Sequence, residues 1–329
     1  MKMLSPLKTA VTPTMYRKRS RKRKAYVIII AAFFVLSLTT LIVIPFIGMS
    51  TFDLNKPVVF GRVWTSEEVG VNAREITLVT DDGLRLEAWE VSADRPHAQV
   101  IFLSGIQSPS VTFYFPHAKW LQQNNYSSIL IEMRAHGGSE GDEIALGMKE
   151  YLDVKAAVDY IKSRNSDLPV MVFGVSMGGA TAINAFGRIP ELDGLISLSA
   201  YATWPDAFVF NMRGMGIPEP IPTLVKPFVW PYMGFTYGFS NLRINPLTQI
   251  ENHNGRPALL MHTTGDSQVS FRCFEKLRVK IPHADVFVRE GDHHFVMYDN
   301  LVSNWDDLAE PENDPEYAAA ILGFLNKYF

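Results

Sequence analysis

Ser176 lies in the pentapeptide Gly174-Val175-Ser176-Met177-Gly178, a Gly-x-Ser-x-Gly. The apolar run Val170-Met171-Val172-Phe173 precedes it, and residues 179–185, rich in alanine, read as the helix that follows. A serine on so tight a strand-to-helix turn needs small neighbours, here Gly174 and Gly178, and the strain lifts its hydroxyl above the sheet edge. The chemistry implied is nucleophilic attack on an acyl carbonyl. A free serine hydroxyl is a poor nucleophile, so a base must take its proton and an acid must orient that base.

Candidates for both follow downstream, each just past a strand-like run. Residues 258–262 lead into Thr263-Thr264-Gly265-Asp266, and residues 284–289 lead into Glu290-Gly291-Asp292-His293-His294-Phe295. Asp266 is the expected acid. Asp292 is a poorer one, because orienting an adjacent imidazole from there requires a contorted backbone. His293 and His294 are both available as the base, and only one of two adjacent rings can point at Ser176. His97, His117, His136, His253, His262 and His283 lack this placement and read as surface or hydrogen-bonding residues. Two backbone N–H groups must also face the developing oxyanion. Met177 supplies one, and Ile106, in the Ser104-Gly105-Ile106 loop after the strand 100–103, is expected to supply the other.

These residues need a scaffold that gathers strand ends. Runs 76–80 and 84–91 flank Asp81-Asp82-Gly83 and read as a hairpin. Short continuous apolar runs at 100–103, 170–173, 195–198 and 258–262 are typical of strands buried on both faces. They alternate with helical patterns at 113–123, 151–161, 271–279 and 317–328. The expectation is an α/β fold: a mostly parallel sheet with helices on both faces and the ligand at the carboxyl ends of the strands. Residues 200–254 break the rhythm. Between Tyr201 and Ser240 there are ten aromatics and six prolines, which suits neither a central strand nor a second membrane span. This insertion reads either as packing over the sheet end or as a lid on an apolar pocket.

Charge and hydropathy divide the chain further. Nine of its 31 Lys and Arg precede residue 25, with no acid among them, so the remainder carries 22 basic against 34 acidic residues. An acidic body argues against nucleic acid as a partner. Residues 27–47 carry no charge, and 21 residues span about 30 Å as a helix, the thickness of a hydrocarbon core. A core helix is rarely so long and apolar, and a cleaved signal peptide has a shorter apolar region and a better cleavage site than Ile47-Gly48-Met49-Ser50. The organisation expected is a basic cytoplasmic arm (1–24), a transmembrane signal anchor (25–48), a linker (49–70) and a catalytic domain (71–329) with its insertion. The positive-inside rule then puts the body on the side opposite the cytoplasm. The single cysteine, Cys273, excludes an intrachain disulfide, and no Cys/His cluster has zinc-site spacing.

From about residue 76 onward the chain resembles α/β-hydrolase-fold serine hydrolases, most closely a membrane-anchored branch near the serine aminopeptidase and dienelactone-hydrolase-like families. Five stretches carry the resemblance. Ser104-Gly105 stands at the usual His-Gly, and Glu132-Met133-Arg134-Ala135-His136-Gly137-Gly138-Ser139 resembles Asp-x-Arg-Gly-His-Gly-x-Ser. The others are the Ser176 turn, Gly265-Asp266, and Gly291-Asp292-His293-His294-Phe295 against Gly-x-x-His-Phe. Ser104, Glu132 and Ala135 depart from the pattern at positions that shape loops.

The resemblance implies the α/β-hydrolase fold and His294 as the base. It also implies an acyl-enzyme mechanism with Ser176 and Asp266, and no metal or organic cofactor. An aromatic insertion beside a bilayer favours a small acyl or lipid-like substrate and an ester bond. A peptidase or amidase with the same residues is the rival within the class, and an inactive binding module is the rival outside it.

Overall fold

The structure is a computed structural model that describes residues 13–51, 56, 62–106, 108–164, 167–297 and 310–329. Residues 1–12 of the basic arm and part of the linker, 52–55 and 57–61, lie outside them. Helix α1 (Pro13–Thr51) runs unbroken through the apolar stretch, with Pro45 near its far end. Its segment Lys22–Ser50 contains an 18-residue window with a mean hydropathy of 3.0 and is long and apolar enough to cross a membrane.

After the short helix α2 (Ser66–Val69), β1 (Ala73–Val79) and β2 (Arg85–Val91) form the expected antiparallel hairpin. Gly83 turns it at φ +90, a conformation that costs glycine little. Then come β3 (Gln99–Leu103), α3 (Phe115–Gln123), β4 (Ser127–Ile131), α4 (Tyr151–Ser163) and β5 (Val170–Val175). Next are α5 (Met177–Arg188), β6 (Gly194–Leu198), α6 (Trp204–Gly214), α7 (Ile221–Tyr237) and α8 (Pro246–Gln249). The chain closes with β7 (Ala258–Thr263), α9 (Phe271–Lys280), β8 (Asp285–Arg289) and α10 (Pro315–Tyr328).

The eight strands make one sheet in the order β1-β2-β4-β3-β5-β6-β7-β8, antiparallel through β2 and parallel from β4 to β8. Successive side chains of a strand face opposite sides, and the central runs are apolar on both. Ile101 and Leu103 join the core under α4, α5 and α9, whereas Val100 and Phe102 join the core under α3 and α10. Because β5, β7 and β8 run parallel, the segments after them emerge at the same edge of the sheet. That edge is where Ser176, Asp266 and His294 lie.

The 200–254 insertion falls into two parts. Helices α6 and α7 pack against each other, and α7 also packs along α1, whereas α8 returns to α5. Thr203 caps α6, accepting from the Asp206 N–H. Asp206 in turn pairs with Lys226 of α7 and, at 2.8 Å, with Lys276 of α9, which ties the insertion to the body.

Candidate active site

Ser176 occupies the turn between β5 and α5 at φ 57, ψ −120, a strained conformation for a residue with a side chain. Its own N–H bonds the Leu198 carbonyl at 2.9 Å, fixing the turn to β6. The flanking glycines are sterically required. A Cβ on Gly174 would lie 2.2 Å from the Gly178 carbonyl oxygen, and one on Gly178 would lie 2.3 Å from the Ser104 carbonyl oxygen. Helix α5 therefore starts against the end of β3. Met177 is its first residue, so its N–H is among the donors that a helix start leaves without an intrahelical partner.

The structure brings Asp266 and His294 together. The imidazole Nδ1 lies 2.8 Å from Asp266 Oδ2, and both residues are buried. The other carboxylate oxygen accepts the Gln268 and Val269 N–H groups at 2.8 and 2.9 Å. Burial works against the Asp266 charge, but the His294 hydrogen bond and charge and the Val269 N–H outweigh it, so the carboxyl lies below its usual range. A carboxylate that stays ionised can hold the second nitrogen of the ring in one tautomer. Gln268 and Val269 also line a cavity shared with Ser176, which links the acid loop to the nucleophile turn.

The rival residues are engaged elsewhere. Asp292 Oδ1 accepts the Ser267 N–H at 2.9 Å. The His293 ring folds back over Gly291, where an added Cβ would meet its Nε2 at 3.0 Å, and the His293 carbonyl accepts from Thr263 Oγ1. His262 contacts the Thr263 carbonyl, and His117 contacts the Tyr317 hydroxyl.

Ile106 lines the same cavity as Ser176 and Met177, in the loop that leaves β3. A Cβ on Gly105 would sit 3.5 Å from the Ser176 Cβ, so this loop passes within contact distance of the nucleophile turn. That contact is ordinary, and the close approach does not itself demand a glycine. Of the three residues that depart from the resembled pattern, Glu132 acquires a structural role. Glu132 is buried, accepts from Ser110 Oγ and, at 3.0 Å, from the Val111 N–H, and so pins the far end of the loop after β3. Burial pushes its carboxyl up to about 7. Ala135 holds φ 59, where a glycine would be unstrained. Arg134 bridges Asp153 of α4 and Asp82 of the β1–β2 turn, the Asp153 contact at 2.7 Å and the Asp82 contact at 2.8 Å.

The cavity has a volume of about 590 Å³. Its wall draws on Tyr201 and Trp204, on Phe208, Asn211 and Met212 of α6, and on Ile44, Ile47 and Gly48 of α1. The α1 residues were invisible as site residues in the sequence, because no local pattern reports which distant element a helix touches. None of the described lining residues carries a charge.

Residues 94–229 match the family described as serine aminopeptidase, S33. The chain is similar to the Escherichia coli protein YfhR, 24% identical over 239 residues, which are 70% of this chain and 74% of that one. It is also similar to lysophosphatidylserine lipase ABHD12 of Mus musculus, 29% identical over 168 residues, 48% of this chain and 39% of the relative. Among solved structures, the esterase Pf2001 of Pyrococcus furiosus superposes with a TM-score of 0.65 at 23% identity, covering 84% of this chain and 98% of the esterase. The chain has the α/β-hydrolase fold, with an eight-stranded, mostly parallel sheet.

Proposed function

We propose that this α/β-hydrolase-fold chain is a serine hydrolase that cleaves an ester, or a related acyl bond, of an apolar substrate. His294 takes the proton of Ser176 as its Oγ attacks the acyl carbonyl. The Ile106 and Met177 N–H groups hold the oxyanion of the tetrahedral intermediate, and His294 returns the proton to the departing alcohol. Water, deprotonated by the same imidazole, then attacks the acyl-enzyme, releases the acid and restores Ser176. Asp266 orients the imidazole and stabilises it when charged.

The observation that carries this reading is the uncharged cavity of about 590 Å³ that Ser176 itself lines. Its size suits a small organic ligand or an acyl chain. The lipase name of one relative supports the same substrate class. The serine aminopeptidase match favours an amide instead. A free amino terminus, however, is an ammonium group, and burying it without a carboxylate partner is costly. No acid stands among the described lining residues. Purified enzyme should therefore hydrolyse p-nitrophenyl acyl esters with a kcat/KM rising from acetyl to octanoyl, at least about 100-fold above aminoacyl p-nitroanilides. A preference for the anilides would reverse the assignment.

The basic arm and the apolar helix support a single-pass anchor with the amino terminus cytoplasmic and the hydrolase domain across the bilayer. Protease added to sealed, right-side-out membranes should then digest the domain. Complete protection there, with digestion only after the membrane is opened, would place the domain on the cytoplasmic side.

A further inference from the structure

The side chains of α1 from Lys22 to Leu36 are all exposed, and from Ser37 onward one face of the helix is not. Ser37, Leu41, Ile44 and Gly48 are half-buried and Pro45 and Met49 are buried, at the three-to-four spacing of a single helical face. That face meets the insertion. A Cβ on its Gly48 would lie 3.0 Å from Phe208 of α6, and at the flank of the face the more exposed Phe46 sits edge-on against Tyr232 of α7 with ring centroids 4.7 Å apart.

Depth follows from length. The exposed, uncharged stretch from residue 25 to 36 covers about 18 Å, whereas a hydrocarbon core is about 30 Å thick. A spanning helix must add about 12 Å more, which takes the bilayer to about residue 44. The turns that pack on α6 and α7, residues 44–49, thus lie at the far boundary of the hydrocarbon core, where acyl chains meet headgroups, and the insertion lies there with them. Its exposed apolar side chains Met215, Phe235 and Phe239 fit that setting. At the same depth, Ile44, Ile47 and Gly48 form a wall of the cavity that also contains Ser176.

We infer that α1 is a wall of the substrate pocket as well as an anchor, and that the pocket takes the acyl chain of a bilayer lipid laterally from the leaflet, along the Ile44–Ile47–Gly48 side. This substrate class rests on the serine hydrolase reading above, but the site itself is tested by occupancy. Full-length Ser176→Ala protein in phosphatidylcholine vesicles is supplied with 1-palmitoylglycerol bearing a diazirine near its chain end, irradiated and mapped by peptide mass spectrometry. Label is expected on residues 44–48 and 208–217, and adding Ile47→Trp should reduce it at least fivefold. Label confined to residues 26–36, the lipid-facing turns, would overturn the inference.

A kinetic arm separates the two readings. In the wild-type background, Ile47→Trp should lower the ratio of kcat/KM for palmitoyl over acetyl p-nitrophenyl ester at least tenfold. An unchanged ratio in an enzyme that does turn over esters sinks the α1 wall and leaves the hydrolase standing. Label at residues 44–48 in a protein without any esterase activity does the reverse.

Discussion

Replacing Ser176 by alanine should lower kcat for a p-nitrophenyl ester by about 10⁶-fold, the size of loss seen when a hydrolase nucleophile is removed. The expectation rests on how few alternatives the site offers. Ser176 carries the strained φ of 57 and lines the cavity, and the N–H of Met177 opens the helix behind it. Without the hydroxyl, the cavity can still bind an ester and orient water. A residual rate about 10³-fold above the uncatalysed reaction should therefore persist. The fold should not suffer, because Ser176 contributes its backbone N–H to Leu198 and alanine keeps that bond. Thermal unfolding within about 2 °C of wild type checks this in the same preparation. Loss of less than tenfold in kcat would assign the nucleophile elsewhere.

The second large effect separates two neighbouring histidines. His294→Ala should cost about 10⁴ to 10⁶-fold in kcat, and Asp266→Asn about 10⁴-fold, because an amide no longer holds the productive tautomer. The two losses should not add in the double variant, since both residues act through one proton transfer. His293→Ala should change kcat by less than about tenfold, as its ring lies over Gly291 and the loop bond it makes to Thr263 is through its carbonyl. Steady-state kinetics of the four variants at one pH decide the matter. Equal losses at the two histidines would remove the basis for choosing His294.

Much of the scaffold was legible from short-range features. The antiparallel entry hairpin and the buried parallel strands were written as alternating and continuous apolar runs, and the structure forms both. The neighbourhood of Asp266 and His294 was legible for a topological reason: parallel strands deliver their following loops to one edge, so order along the chain becomes proximity in space. The insertion was less legible. Pro227 and Pro231 obscure a helical reading of 221–237, since each removes an internal hydrogen bond and crowds the preceding turn. The chain nonetheless forms α7 there and packs it on α6 and α1.

Least legible was the second role of α1. A helix apolar on every side hides which side meets protein, so the face bearing Ile44 and Gly48 cannot be told from the face bearing Ile42 and Val43. The loop chemistry of Glu132 was hidden for a related reason. Its partners Ser110 and Val111 lie more than twenty residues away, in a turn whose position depends on the assembled sheet.

The central claim is that Ser176 Oγ is the nucleophile. Full-length protein in membranes should be treated with a fluorophosphonate probe, digested, and the adduct located by tandem mass spectrometry. The account predicts stoichiometric modification at Ser176, abolished in Ser176→Ala and strongly slowed in His294→Ala. A folded wild-type protein that stays unmodified, or an adduct that persists in Ser176→Ala, would contradict it.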